Sequence, residues 1–292
     1  AAGAVVGMSR GAYPDDSAEG WWGAVSQGLQ ALKEQIGAQA MSQIAHAAID
    51  GTSGSMVLVD AALTPVTPPL MYNSSGFEAE AAHIAQHAPE GDMTRGPSSA
   101  LARMLRLQAM DGAERAAHLC HQADFILARM TGIGGASDEN NALKTGYDVA
   151  AREWPAWISS TDVRTDLLPQ VHVVGTPIRP IAPDMATRFG FSPDLILHAG
   201  TTDSIAAFLA TGASEVGDVV TSLGTTLAIK MLSDVRIDDA AQGIYSHRLG
   251  DKWPVGGASK PGGGALLAPF TGEEPHVLGA QMAPATPDGL DL

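Results

Sequence analysis

Asp203 is the residue whose type and position most directly suggest chemistry. It stands in Gly200-Thr201-Thr202-Asp203-Ser204, ahead of an apolar stretch in which Ile205, Phe208, Leu209 and Gly212 fall on one helical face. An acid in the first turn of a helix has free N–H groups and the positive dipole end beside it. Dipole complementation is therefore its plain structural reading. The functional reading is a general base for a hydroxyl, held at the carboxyl end of a strand, where α/β sites lie. Downstream comes Ser222-Leu223-Gly224-Thr225-Thr226. A Gly-Thr-Thr turn between two strands lets backbone N–H groups and hydroxyls approach phosphate oxygens; its plain reading is a hairpin turn. A carboxylate beside a phosphate-binding turn is what phosphorylation of an alcohol would need.

Other stretches carry weaker signals. Asp50-Gly51-Thr52-Ser53-Gly54 has the same look, and as a simple hairpin it would use Asp-Gly as the turn. Pro261-Gly262-Gly263-Gly264 lacks a following Lys-Ser/Thr and reads as a loop or helix entry. Lys144 could pair with a phosphate or cap a helix end, and periodicity does not choose between them. His118 and His121 lie on an expected helix with no third ligand in view, so no metal-binding residues are expected.

The elements that must position these groups follow from patterning. Residues 3–8 read as a short strand, and Asp15 to Trp22 as a helix start with an apolar face at Trp22, Val25, Leu29 and Leu32. Ile44–Ile49 and Met56–Asp60 read as strands joined by the Gly-rich turn in a hairpin. Residues 98–110 form an amphipathic helix with Arg103 and Arg106 outward, and residues 113–130 a second one ending at Gly132. Prolines punctuate 155–185, residues 183–190 form a short helix, and Leu195–Ala199 is a buried strand delivering a turn at Gly200. Then Val219–Ser222, Leu227–Leu232, Ile244–Arg248 and Trp253–Val255 follow as short strands. This change to a meander sets an expected boundary near residue 215, giving domains 1–214 and 215–292.

Composition limits the partners. Of 292 residues 45% are hydrophobic but only 5% aromatic, which suits an α/β protein with helices packed closely on strands. A net charge of −15 disfavours nucleic acid and anionic membrane surfaces, which need a basic face. A single cysteine, Cys120, fits a reducing cytoplasm and reads as a small buried hydrophobe. No apolar run reaches the length of a membrane span.

Assembled, these stretches resemble the FGGY carbohydrate kinases of the actin-like, ribonuclease H-like ATPase superfamily, and within them the D-ribulose kinase and xylulose-kinase-like subgroup. The resemblance is carried by Ile49 to Gly54 with Leu70-Met71-Tyr72-Asn73, Gln122 to Ile126 with Thr131-Gly132, Ser137 to Tyr147, Ala199 to Ala213, Thr221 to Thr226, Tyr245 to Gly250 and Val255 to Ser259. It implies an α/β fold with a complete or near-complete first, sugar-binding domain and the start of a second, ATP-binding domain. It implies ATP-dependent phosphorylation of a sugar, at the terminal hydroxyl of a ketopentose such as D-ribulose or D-xylulose, with ATP and Mg2+ as cofactors. By the match Asp203 is the catalytic base and a substrate contact; Thr52, Ser53 and Asn73 also contact the sugar; Gly224, Thr225, Thr226 and Gly257 contact the nucleotide phosphates. The expected partners are the sugar and ATP, without nucleic acid or membrane, in the cytoplasm and with a homodimer as an admissible assembly. The family opens with a strand–Asp-x-Gly-Thr–strand hairpin for phosphate and magnesium, and continues well past residue 292. The chain therefore reads as truncated at both ends. Lys260-Pro261 and Ser74 also depart from the subgroup's pattern. The rival expectations are an inactive fragment or sugar-binding remnant, and an actin- or chaperone-like ATPase without a sugar.

Overall fold

The computed structural model describes residues 3–223, 227–239, 242–259 and 262. After an extended segment comes α1 (Ala18–Ser42), whose first turn is capped by the Ser17 hydroxyl accepting from the Gly20 N–H and which is broken at Gly37, at φ 82°. Strands β1 (His46–Gly51) and β2 (Met56–Val59) follow, then α2 (Glu78–Ile84) and α3 (Ala100–Gln108). Next are β3 (His118–His121), α4 (Gln122–Thr131), β4 (Ala136–Asp138) and α5 (Glu139–Leu143). Strands β5 (Gln170–His172) and β6 (Pro177–Pro180), α6 (Pro183–Phe189), β7 (Ile196–Thr202) and α7 (Asp203–Ala210) lead to a four-strand sheet. That sheet comprises β8 (Val219–Leu223), β9 (Leu227–Ser233), β10 (Tyr245–Ser246) and β11 (Trp253–Ser259), in the order β10-β11-β9-β8 and antiparallel throughout.

β1 pairs in parallel with β7, not with β2. The expected hairpin is therefore wrong. The reason lies in β2, whose four residues are all buried. A strand buried on both faces needs cover on both. Val57 and Val59 face a core shared with Trp21, Phe125 and Leu197, while Met56 and Leu58 face a second core with Leu101, Met104 and Leu107. β2 finds its ladder partner in β3 instead, with Met56 opposite His121 and Val59 opposite His118.

That pairing also corrects the helix expected over 113–130. Residues 118–121 are recruited as a strand, tertiary pairing overriding local propensity, and α4 begins only at Gln122, with the Asp124 carboxylate accepting from the His121 N–H at 2.9 Å. Cys120 is thus a strand residue, buried as expected. The helix does end at Gly132 in the left-handed region. Residues 3–8 form no strand; the Met8 N–H donates to Gln35 Oε1 and the Ser9 hydroxyl to the Gly28 carbonyl, which lays the segment along α1. Arg103 is buried rather than outward, its Nη2 donating to the Tyr72 carbonyl. A third core joins Leu143, Tyr147 and Val149 with Tyr245 and Trp253 of the last sheet. Among the described residues no helix is long and apolar enough to cross a membrane.

Candidate active site

Strand β7 delivers Asp203. It does not turn at Gly200 as expected but continues to Thr202, the N-cap of α7. Gly200 serves a close approach: the β1–β7 register shifts between Ala48 and Asp50, and a Cβ at Gly200 would lie 1.8 Å from the Ile49 carbonyl oxygen. The shift sets Asp50 opposite Thr201. Asp203 then opens α7 with its Oδ1 accepting the Ser204 N–H at 2.6 Å. Ile205 and Phe208 turn inward, whereas Leu209 is exposed, against expectation.

Below β7 a buried amide pair fixes the strand end. Asp138 caps α5 by accepting from the N–H groups of Asn140 and Asn141. Asn140 donates to Thr201 Oγ1 and to the Arg248 carbonyl, both at 3.0 Å, and accepts from the Arg248 N–H at 2.9 Å. Asn141 donates to the Thr201 carbonyl at 3.2 Å. Neither amide is exposed to solvent.

Two cavities flank this junction. The smaller, about 260 Å³, is lined by Asp203, Asp50, Gly51, Thr52 and Gln122, with Trp21 at its wall. The larger, about 1160 Å³, is lined by Ser53, Gly54, Tyr72, Arg103, Lys144 and Tyr245 among others. Thr52 and Ser53 stand on the two walls as consecutive residues. Their turn closes through the Ser55 N–H donating to the Thr52 carbonyl, with Gly54 at φ 81°, and the Thr52 N–H donates to Gln122 Oε1 at 3.0 Å. Of the expected sugar contacts, the fold brings Asp203 and Thr52 together and sets Ser53 next door; Asn73 is exposed and lines neither cavity. Gly257 lies on β11 opposite Ile229 and close to the Gly243 carbonyl, beside the large cavity's lining residues Gly243 and Ala258. Gly224, Thr225 and Thr226 lie outside the described residues, as does the Gly-rich run beyond Gly262.

Electrostatics single out the same junction. Burial pushes the Asp203 carboxyl above the usual aspartate range, and the Asp50 carboxylate adds to this; the Ser204 N–H, Lys230 and Lys144 oppose it. The side chain is open to solvent on its cavity side, while the surrounding protein strips part of its hydration. Lys144 is held down to about 7 by burial, against the pull of Asp203. Lys144 is the C-cap residue of α5, its backbone N–H donating to the Asn141 carbonyl, while its ammonium lies 3.6 Å from the centre of the Tyr245 ring. Burial raises the Tyr245 hydroxyl and pushes His247 well below the histidine range. Sequence reading missed Asp50, Gln122, Lys230 and Tyr245 as site residues. Lys230 had one usable signal, a lone cation inside an apolar strand. Among the described residues no group of three or more His, Cys, Asp or Glu side chains could hold a metal ion.

No protein-family profile matches the chain. A stretch of 83 residues, 28% of the chain and 16% of the relative, is 29% identical to a gluconokinase of Bacillus subtilis (strain 168). Solved structures agree over far more. Xylulose kinase from Rhodospirillum rubrum superposes with a TM-score of 0.79 at 20% identity, over 94% of this chain and 61% of that one. Gluconate kinase from Lactobacillus acidophilus gives 0.75 at 18% identity, over 97% and 59%. Glycerol kinase from Plasmodium falciparum gives 0.67 at 10% identity, over 86% and 55%. The chain spans about three fifths of the length of these solved kinases. Over that length it has their mixed α/β, actin-like ATPase fold.

Proposed function

We propose that the chain belongs to an ATP-dependent sugar kinase and holds its sugar site and general base. The observation that carries this reading is Asp203 itself, a carboxylate at a strand-to-helix junction, open to a cavity and raised in pKa by burial. A base works best when its pKa approaches the working pH. One carboxylate oxygen is held by the Ser204 N–H, which leaves the other free for the proton of a substrate hydroxyl. Transfer of a γ-phosphoryl group is mainly a matter of positioning and charge neutralisation. Asn140 and Asn141 supply the positioning by anchoring the end of β7 from below.

The substrate reading is the terminal hydroxyl of a ketopentose, D-ribulose or D-xylulose, with Thr52, Ser53 and Asn73 as sugar contacts. It is supported by the fold shared with a xylulose kinase and by the position of Thr52 and Ser53 on the cavity walls. Gly224, Thr225, Thr226 and Gly257 are the proposed phosphate contacts, in a second domain beginning near residue 215. Asp50 and Asp203 share one cavity, and two carboxylates suit a magnesium ion held largely by nucleotide phosphates and water. When bound, magnesium–ATP supplies the phosphoryl group and offsets its charge. The single buried cysteine accords with a cytoplasmic setting.

An assay of ADP release by this chain tests the reading. Release dependent on D-ribulose or D-xylulose is expected. Release without any sugar would make the chain an ATPase of another kind, and sugar binding without release would leave it a sugar-binding protein.

A further inference from the structure

Two half-buried lysines at the junction, Lys144 and Lys230, make no ion pair among the described residues. Four lysines lie among the described residues. The two peripheral ones are satisfied by carbonyls, Lys33 by Arg188 at 3.4 Å and Lys252 by Ser214 at 2.5 Å. Among the described residues, the ammonium groups of Lys144 and Lys230 have no hydrogen-bond or ion-pair partner. Arginines nearby are paired: Arg236 bridges Asp148 and Asp238, and Arg152 meets Glu139. Both lysine side chains are half-buried, and apart from the Tyr245 ring against the Lys144 ammonium no close partner meets either cation among the described residues.

Their placement is built, not incidental. In the last sheet Tyr245 pairs with Gly256, and Gly256 pairs with Lys230 on the far side, so the three share one face. A Cβ on Gly256 would lie 2.9 Å from Lys230 Cγ. The glycine therefore leaves the path along which the lysine stem crosses the ladder toward Tyr245. From the opposite element, Lys144 follows α5 and sets its ammonium on the Tyr245 ring. The charge of Asp203 acts on both lysines and on Tyr245.

We propose that Lys144 and Lys230, converging on Tyr245 from two sides of the junction, form a receptor for a phosphoryl group beside Asp203. In the proposed reaction the bond from the γ-phosphorus to the nucleoside diphosphate breaks, the substrate hydroxyl oxygen bonds to that phosphorus, and its proton passes to Asp203. The lysines bind the group as it arrives and hold it on the product. This rests on the kinase reading for its substrate, but the receptor itself requires only an anion of phosphate type. Burial and mutual repulsion hold Lys230 below the usual lysine range; a dianionic group would relieve both, as its oxygens accept charge-assisted hydrogen bonds.

Calorimetric titration of the full chain tests it with three probes: inorganic phosphate, D-ribulose and D-ribulose 5-phosphate. The sugar phosphate should bind at least about tenfold tighter than the sugar, from one added charge-assisted contact. Lys144→Met and Lys230→Met should each abolish most of that preference and weaken inorganic phosphate, while sugar affinity stays within about twofold. Lys230→Arg should restore part of it. The Met variants should keep or raise the melting temperature, because a partly desolvated cation without an ion-pair partner is removed; a clear fall would make the lysines structural and overturn the proposal. Equal losses for sugar and sugar phosphate would overturn it too, as would an unchanged preference. Binding of inorganic phosphate, lost in both Met variants, with no binding of either sugar probe would sink the ketopentose reading and leave the receptor standing.

Discussion

At the scale of single residues, the proposed site turns on the surroundings that raise the Asp203 pKa. Asp203→Asn should lower turnover by about 10²–10⁴-fold while sugar affinity is retained, read by coupled assay and calorimetry; undiminished turnover would remove the base assignment. The pKa directions fix two further signs. Asp50 raises the Asp203 pKa, so Asp50→Asn should move the acid limb of the rate profile to lower pH; a shift to higher pH would contradict the field described. For stability, an acid whose folded pKa is raised holds its proton longer in the native state. Its ionisation therefore costs the fold stability as pH rises through that raised pKa, and the cost persists above it. Asp203→Asn should thus melt at a higher temperature than the parent at neutral pH, the advantage fading below the usual aspartate range. Asp203 was legible in the sequence because its place at the start of a helix is local. Asp50 was not, because it becomes a neighbour only when β1 lies against β7.

At the scale of elements, glycines decide which strands can meet. Gly200→Ala would drive a Cβ to 1.8 Å from the Ile49 carbonyl oxygen in the middle of the β1–β7 ladder. Neither backbone can yield cheaply, so a loss at the upper end of about 1–3 kcal/mol or more is expected in urea denaturation. A variant as stable as the parent would show that the register shift at Ile49 does not constrain β7. The four strands after residue 217 were readable because each is a short apolar run bounded by turn residues. β3 was not, because His118–His121 has no strand pattern of its own and is a strand only by pairing with β2. Arg103 was misread for a related reason: its helical position suggested solvent, but the Tyr72 carbonyl and the turn at Gly54 take it inside.

At the scale of the whole molecule, strand β7, which leads into Asp203, is joined to the last sheet through a few specific contacts. Asn140 ties Thr201 to Arg248, Arg236 ties Asp148 to Asp238, and Arg248 Nη1 donates to the Val149 carbonyl at 2.5 Å. Asn140→Ala would leave the Arg248 N–H and the Thr201 hydroxyl without a buried partner. Each orphaned group costs about 1–3 kcal/mol, so the melting temperature should drop. Limited proteolysis should also cut sooner in the exposed segment around Ser214 and Gly217. Cleavage at the parent's rate would mean that the joint is held elsewhere.

By itself the sequence determined what is local: the α/β class, the helix end at Gly132, α6, the short strands after residue 217, and Asp203 at the head of a helix. These follow from propensity, capping and periodicity within a few residues. Only the tertiary structure decided that β2 pairs with β3 and β1 with β7, and which side chains flank Asp203. Those facts depend on which apolar faces find cover and on contacts across long stretches of chain, such as Asn140 with Arg248 and Lys144 with Tyr245. The placement of Lys144 and Lys230 belongs to the same class. A cation's type is written in the sequence, but which groups surround it is a property of the fold.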